Sequence, residues 1–221
     1  LPVAIIHLQG DDGTALVMAV IFAAMLFTAG LSWKYILPVA AMIPPAAIVA
    51  WNFLLDDDKK NRILAVIDPT LVEAADSWQQ QRGLISIGNG GLWGNGVFME
   101  TGQFRYVPEV YNDFIFTYIG ETVGFIGCLA VLLVLAFLCI RILSNGLRAP
   151  DDLGKYICVG VFAMIGIQII INIGMCLGMM PVIGVTLPFL SAGGTSTGTL
   201  YLAIGVVLSV YVHSGKDRLF G

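Results

Sequence analysis

Hydrophobic residues fall into long uncharged runs separated by short polar turns, and the runs set the expected elements. Residues 1–8 are apolar and read as the tail of a span. A polar turn follows at 9–14, and the next stretch carries no charge until Lys34. About 20 apolar residues cross a bilayer, so a span is expected over 14–33. A second uncharged run, 35–55, holds Pro38, Pro44 and Pro45. Those prolines would break a soluble helix, but a membrane helix kinks and neighbours satisfy the freed carbonyls. Further spans are expected over 113–140, 156–177 and 196–213. From Tyr156 to Gly215 there is no Asp, Glu, Lys or Arg. The uncharged connection 178–195 contains Pro181, Pro188, Gly184, Gly193 and Gly194. It is too broken for one helix and reads as a membrane-embedded loop that protein must bury.

Residues 56–112 differ. They are polar, glycine-rich and hold much of the charge. Trp78, Leu84, Ile85, Ile87, Leu92, Trp93, Val97 and Phe98 predict order against a surface. Residues 71–86 suit an amphipathic helix lying on the membrane. The run from Gly88 to Gly96 allows positive φ and close approach to the main chain. It lacks the spacing of a nucleotide-binding fingerprint.

Composition adds the class. The 221 residues are 57% hydrophobic and 12% charged, with mean hydropathy +0.87. A soluble domain carries far more charge, so the chain is an all-α polytopic membrane protein. The apolar opening at Leu1 reads as the C-terminal portion of a longer protein. Cys128, Cys139, Cys158 and Cys176 lie in apolar segments without metal-site spacing and read as buried small hydrophobes. Lys34, then Arg141, Arg148 and Lys155, then Lys216 and Arg218 fall on alternate connections. The positive-inside rule makes that side cytoplasmic and puts the long loop 56–112 outside.

Candidate chemistry gathers in residues 111–121. A carboxylate at the centre of a spanning helix costs about 2.5–3.5 kcal/mol, so it faces protein or a wet cavity. On a helix, Asp113, Thr117, Gly120, Glu121 and Gly124 share one stripe suited to lining a crevice. Phe114, Ile115, Tyr118, Phe125 and Ile126 fall opposite, toward lipid or other helices. Asp113 reads either as a helix cap or as a chemical group. Glu121 lies about two turns further in, as a site residue or an interhelical hydrogen-bonded one.

Several short motifs then converge. They are Gln9-x-Asp11-x-Gly13-Thr14, Gly30-Leu31-Ser32-Trp33, Trp78-Gln79, and Ile87-Gly88-x-Gly90-Gly91-Leu92-x-Gly94-x-Gly96. They continue with Asp113-Phe114-Ile115-Phe116, Ile119-Gly120-Glu121, Asn172-Ile173-Gly174-Met175, Leu187-Pro188-Phe189 and Gly193-Gly194-x-Ser196. In this order, over nearly the whole chain, they resemble the SEDS family (RodA/FtsW) of cell-wall synthesis, with a RodA-like lean at Trp33-Lys34. Gly10 and Asp12 stand where the family has Pro and Leu, and Thr122 where it has a second Glu. The resemblance implies a SEDS-type helical bundle with a large extracytoplasmic loop, in the bacterial cytoplasmic membrane.

It also implies a peptidoglycan glycosyltransferase that polymerises lipid II at the outer face, with Asp113 as general base. Cations must meet the departing diphosphate. Lys59, Lys60, Arg62, Arg82 and Arg105 are the outer candidates, with Arg62 and Arg82 preferred. Gln79, Glu121, Asp11 and Ser196 complete the expected substrate-binding set. Asp11 either positions its loop or helps hold a divalent ion such as magnesium. The kinked helix around Pro38–Pro45 and the glycine-striped helix after Asp113 are expected to flank a crevice for the polyprenyl chain. Expected partners are lipid II, the bilayer and a class B penicillin-binding protein transpeptidase, and no nucleic acid. A lipid II flippase and a non-catalytic scaffold for the transpeptidase are the other two function classes.

Overall fold

The computed structural model describes residues 2–72, 74–96 and 107–220; side chains are not described at 54, 69, 74–76 and 215–220. Val97, Phe98 and Arg105 therefore lie outside the described residues. The elements are α1 (Pro2–Leu8), α2 (Asp12–Thr28), α3 (Trp33–Val49), α4 (Asp57–Ile67), α5 (Ala74–Asn89), α6 (Ile115–Leu147), α7 (Asp152–Cys176) and α8 (Gly194–Phe220). Among the described residues there is no strand. Four helical stretches are long and apolar enough to cross a membrane: Trp33–Phe53, Ile115–Leu147, Asp152–Cys176 and Gly194–Ser214. The chain is a multi-pass membrane protein.

Helix α2 stops at Thr28 rather than running to 33. Its last turn closes at Gly30, which takes a φ of 83°, and Thr28 Oγ1 turns back onto Ala24 O. Helix α3 keeps all three prolines inside it and passes into a wider π-type turn, Ala50–Leu54. It buries none of its residues.

Helix α7 is the centre of the bundle, packed by α2, α6 and α8. At one end, Phe114, Ile115, Phe116, Cys176 and Leu187 form an apolar core; at the other, Cys139, Ile142, Cys158, Ile165 and Val207 form a second. The four cysteines are buried and free, as their apolar settings predicted.

Among the described residues of 56–112, helices α4 and α5 take up much of what reads as a loop. Helix α5 runs beside the first turns of α6 in the same direction. Gly83 lies against Phe114 and Thr117, Ser86 against Glu121, Gly90 against Gly120, and Gly94 against Thr122. The expected amphipathic helix is present, with its polar face turned to the bundle. Ser77, Gln80, Gly83 and Ser86 face the bundle, while Trp78, Leu84 and Ile85 are exposed. The apolar residues on its outer side are left free to meet lipid, as on a helix at the membrane surface.

The glycine run ends this descent. At Gly124, α6 leaves helical geometry, with φ 75° and ψ −169°. That break frees main-chain groups of α6, and residues 91–96 take them up. Asn95 N donates to Glu121 O (2.9 Å) and Gly96 N to Thr122 O (3.0 Å); Phe125 N donates to Gly91 O (2.9 Å) and Ile126 N to Leu92 O (3.2 Å). A Cβ at Gly90, Gly94 or Gly124 would strike facing backbone. The main chain that approaches these glycines is the protein's own.

Candidate active site at the Asp113 turn

Asp113 sits in the turn before α6, two residues ahead of the helix that was expected to begin with it. The cap position is Phe114, and no side chain caps it, so Asp113 is not a capping residue. The turn is fixed from within by Asn112 N and Phe114 N, both donating to Glu109 O, and by Asn112 Nδ2 donating to Glu109 Oε2. It is fixed from outside by three donors. Ala192 N reaches Tyr111 O (2.8 Å), Ser191 Oγ reaches Asn112 O (2.6 Å), and Asn172 Nδ2 reaches Asp113 O (2.7 Å). The carboxylate itself is half-buried and faces Gly184. Its Oδ2 lies 3.6 Å from where a Cβ at that glycine would stand. Burial, with the neighbouring Glu109 charge, raises its pKa above the ordinary carboxylate value.

The connection 178–193 passes through this site without regular structure, and protein satisfies it. Gln80 Nε2 donates to Met175 O and Met180 O, Arg62 Nη1 to Val182 O (3.2 Å), and Asn172 Nδ2 to Val185 O (2.8 Å). Gly13, at the start of α2, packs directly on Ile183 O. The 182–185 stretch thus brings together the turn at Asp11, the cation at Arg62 and the carboxylate at Asp113.

The other expected site residues divide. Asp11 caps α2 by accepting from Thr14 N (2.9 Å), so it positions its loop. Asp12 pairs with Lys59 (2.7 Å) and His7 (2.6 Å). Among the described residues no three His, Cys, Asp or Glu side chains stand together; Asp11 Oδ1 is taken up by its cap and the two Asp12 oxygens by His7 and Lys59. Lys60 lies 3.7 Å from Asp57. The Arg82 guanidinium stacks 5.6 Å from the Trp78 ring centroid, and Gln79 Nε2 donates to Pro108 O (2.9 Å). Ser196 folds back on Gly193 O (3.1 Å) at the start of α8, and no described contact joins it to Asp113.

Two expectations are corrected. The stripe of Thr117, Gly120, Glu121 and Gly124 lines no open crevice, because α5 and the glycine run fill it. Glu121 is 2% exposed and accepts from the Ser86 hydroxyl. On the side expected to meet lipid or other helices, Phe114 and Ile115 are buried in the protein, while Phe125 and Ile126 are exposed. Nor do α3 and the stripe flank an apolar crevice. A groove of about 570 Å³ instead opens between α6 and α8, lined by Val131, Val134, Phe137, Phe189 and Tyr201, with Arg141 at its rim.

Asn172 and Ser191 carry much of this geometry. Asn172 is legible in the sequence only as part of a motif, and Ser191 carries no spacing signal. The available signal was Asn172 itself, a polar side chain inside a long uncharged run, which must find a partner within the protein.

Known proteins agree with this architecture. The peptidoglycan glycosyltransferase MrdB of Escherichia coli (strain K12) is 33% identical over 218 residues, covering 96% of this chain and 58% of that protein. Stage V sporulation protein E of Bacillus subtilis (strain 168) is 37% identical over 210 residues, covering 95% and 57%. A solved structure described as "Structural coordination of polymerization and crosslinking by a peptidoglycan synthase complex" aligns with a TM-score of 0.78 at 26% identity, over 96% of this chain and 59% of that one. The chain therefore spans a little over half the length of the relatives it matches. The family model FTSW_RODA_SPOVE, described as "Cell cycle protein", matches residues 1–216, and the chain belongs to that family.

Proposed function

We propose that the protein of which this chain is part is a peptidoglycan glycosyltransferase that polymerises lipid II, with Asp113 as general base. The observation that carries the reading is the half-buried Asp113 carboxylate, whose raised proton affinity suits a base, held in a built turn beside Gly184. The names of MrdB and of the probable FtsW glycosyltransferase of Geobacter metallireducens support the reaction class.

The chemistry follows from the groups. The 4-hydroxyl oxygen of the acceptor sugar bonds to the anomeric carbon of the donor. The bond from that carbon to the diphosphate oxygen breaks, with inversion, and its electron pair leaves with the lipid diphosphate. Asp113 takes the hydroxyl proton as the nucleophile attacks. Negative charge grows on the departing diphosphate, where preorganised cations are most effective. Arg62, anchored on Val182 O two residues from Gly184, is the cation best tied to the site. Arg82, ahead of the glycine run, is the second. Gln79, Glu121, Asp11 and Ser196 act here as supports for the loop, seam and helix ends that frame the site.

The site lies at the outer face of the bacterial cytoplasmic membrane, on the side opposite Arg141, Arg148 and Lys155. Crosslinking of the product falls to a class B penicillin-binding protein; a structural relative was solved in a complex that joins polymerisation to crosslinking. The deciding experiment is glycan synthesis from purified lipid II by the full-length protein, wild type against Asp113→Asn, with no second polymerase. Synthesis by wild type and none by Asp113→Asn is expected. Equal synthesis by both removes Asp113 from the reaction. Lipid translocation without synthesis makes the protein a flippase, and transpeptidase binding without either makes it a scaffold.

A further inference from the structure

Three consecutive carbonyls at the Asp113 turn are each held by a different donor. Tyr111 O takes Ala192 N, Asn112 O takes Ser191 Oγ, and Asp113 O takes Asn172 Nδ2. Two of the donors work twice. The Asn172 amide has two N–H groups, and its nitrogen also bonds Val185 O at 2.8 Å. Ser191 Oγ also accepts from Leu187 N at 2.7 Å. Each side chain therefore ties 111–113 to the 185–192 segment through two main-chain groups at once. Asn172 is fully buried and Ser191 is 8% exposed.

We infer that Asn172 and Ser191 are positioning residues for Asp113, fixing the direction of its side chain over Gly184 by clamping the carbonyls of Asn112 and Asp113. The inference rests on the reading of Asp113 as the base. A fastening between helices needs no particular peptide. This one grips the peptide carbonyls on the two residues that set the path of the Asp113 backbone, and its other end holds the residue after Gly184. Neither Asn172 nor Ser191 has a described contact with the Asp113 carboxylate, so they act through the main chain. Among the described residues, the titratable groups around the turn are Glu109, whose carbonyl and carboxylate brace it from within, Tyr111, whose ring lies against Tyr118, and Cys176, one turn along α7, with Sγ 3.7 Å from Asp113 O.

The test uses the full-length protein. Asn172→Leu keeps the volume and removes both donors; Ser191→Ala removes the second clamp. In lipid II polymerisation, each lowers kcat with KM nearly unchanged, on the order of 10- to 100-fold for Asn172→Leu, the scale of an ångström's misplacement of a reacting group. The acid limb of the pH profile moves with it. Asn172→Gln, which keeps the amide, recovers part of the loss. A second readout needs no catalysis. Asp113→Cys adds a half-exposed thiol to a chain whose own four cysteines are buried, and its labelling rate by a charged thiol reagent reports the turn. That rate changes when Asn172→Leu or Ser191→Ala is added. Unchanged labelling together with wild-type kcat and pH profile overturns the inference. If Asn172→Leu does not fold, Ser191→Ala decides by the same two readouts. Should the wild type make no polymer at all, the functional reading fails while labelling still judges the clamp.

Discussion

The Ser86 hydroxyl donates to the Glu121 carboxylate inside the seam between α5 and α6, with Ser86 wholly buried and Glu121 2% exposed. A carboxylate in such a place must keep its partners. Replacing Ser86 by Ala removes a donor and leaves a buried acceptor short, at a cost of about 1–3 kcal/mol. Thermal unfolding in detergent should show Ser86→Ala destabilised by that amount and Glu121→Gln, which stays polar, by less. A Ser86→Ala melting temperature equal to wild type contradicts the assignment.

The break in α6 makes a sharper prediction. Alanine at Gly124 meets both a φ of 75° and the facing Gly94 main chain. The backbone conformation alone costs about 1–3 kcal/mol, and the collision adds to it. Gly124→Ala and Gly94→Ala should reduce folded yield in membranes. Gly166→Ala, in the middle of α7 with open space beside its Cα, should be neutral or slightly stabilising. Equal yields for all three variants would show that the seam is not tight.

The raised pKa of Asp113 has a sign in both stability and activity. Folded protein holds this proton more tightly than unfolded chain. The stability it contributes is therefore full at low pH and is lost as pH rises through the raised value. At neutral pH the half-buried charge opposes folding, and Asp113→Asn removes it. This variant should melt no lower than wild type at neutral pH while losing polymerisation by at least about 100-fold. For wild type, the acid limb of kcat/KM should lie above the ordinary aspartate range, because the base is lost as pH falls through its raised pKa. A melting series across pH, paired with polymer assays, checks both.

The tip of the α5 descent predicts contact with lipid. Arg141 and Gly124 are 17 residues apart on α6 (141 − 124), or roughly 26 Å along a helix, close to the ~30 Å of bilayer hydrocarbon. Leu92 and Trp93 sit at that level and are 63% and 79% exposed. Trp93 fluorescence, taken as the difference between wild type and Trp93→Ala in vesicles, should be quenched by lipids brominated near the glycerol end of their chains. Quenching by aqueous iodide instead would place Trp93 in water.

What could be read beforehand followed physical scale. Long uncharged runs announce spans because each charge in lipid is costly, and Asp113 stood out as a carboxylate at the mouth of such a run. Where the partner was remote main chain, the pattern was silent. Asn172 reaches a carbonyl 59 residues away and Ser191 one 79 away, and neither leaves a mark on side-chain spacing. The 88–96 glycines revealed that something comes close, but not that the visitor was α6. For α5, exposed Trp78 and Ile85 suggested a face for the membrane, and Ser77 and Gln80 only gained meaning once α6 and α7 lay against them.

One consequence concerns motion. The amides of Asn95 and Gly96 belong to a stretch without regular structure, yet they close onto the carbonyls of Glu121 and Thr122. Their hydrogen exchange should be as slow as that of Phe125 and Ile126, since all four open only when the two segments part. Residues 91–96 and the first third of α6 then fluctuate as one cooperative body.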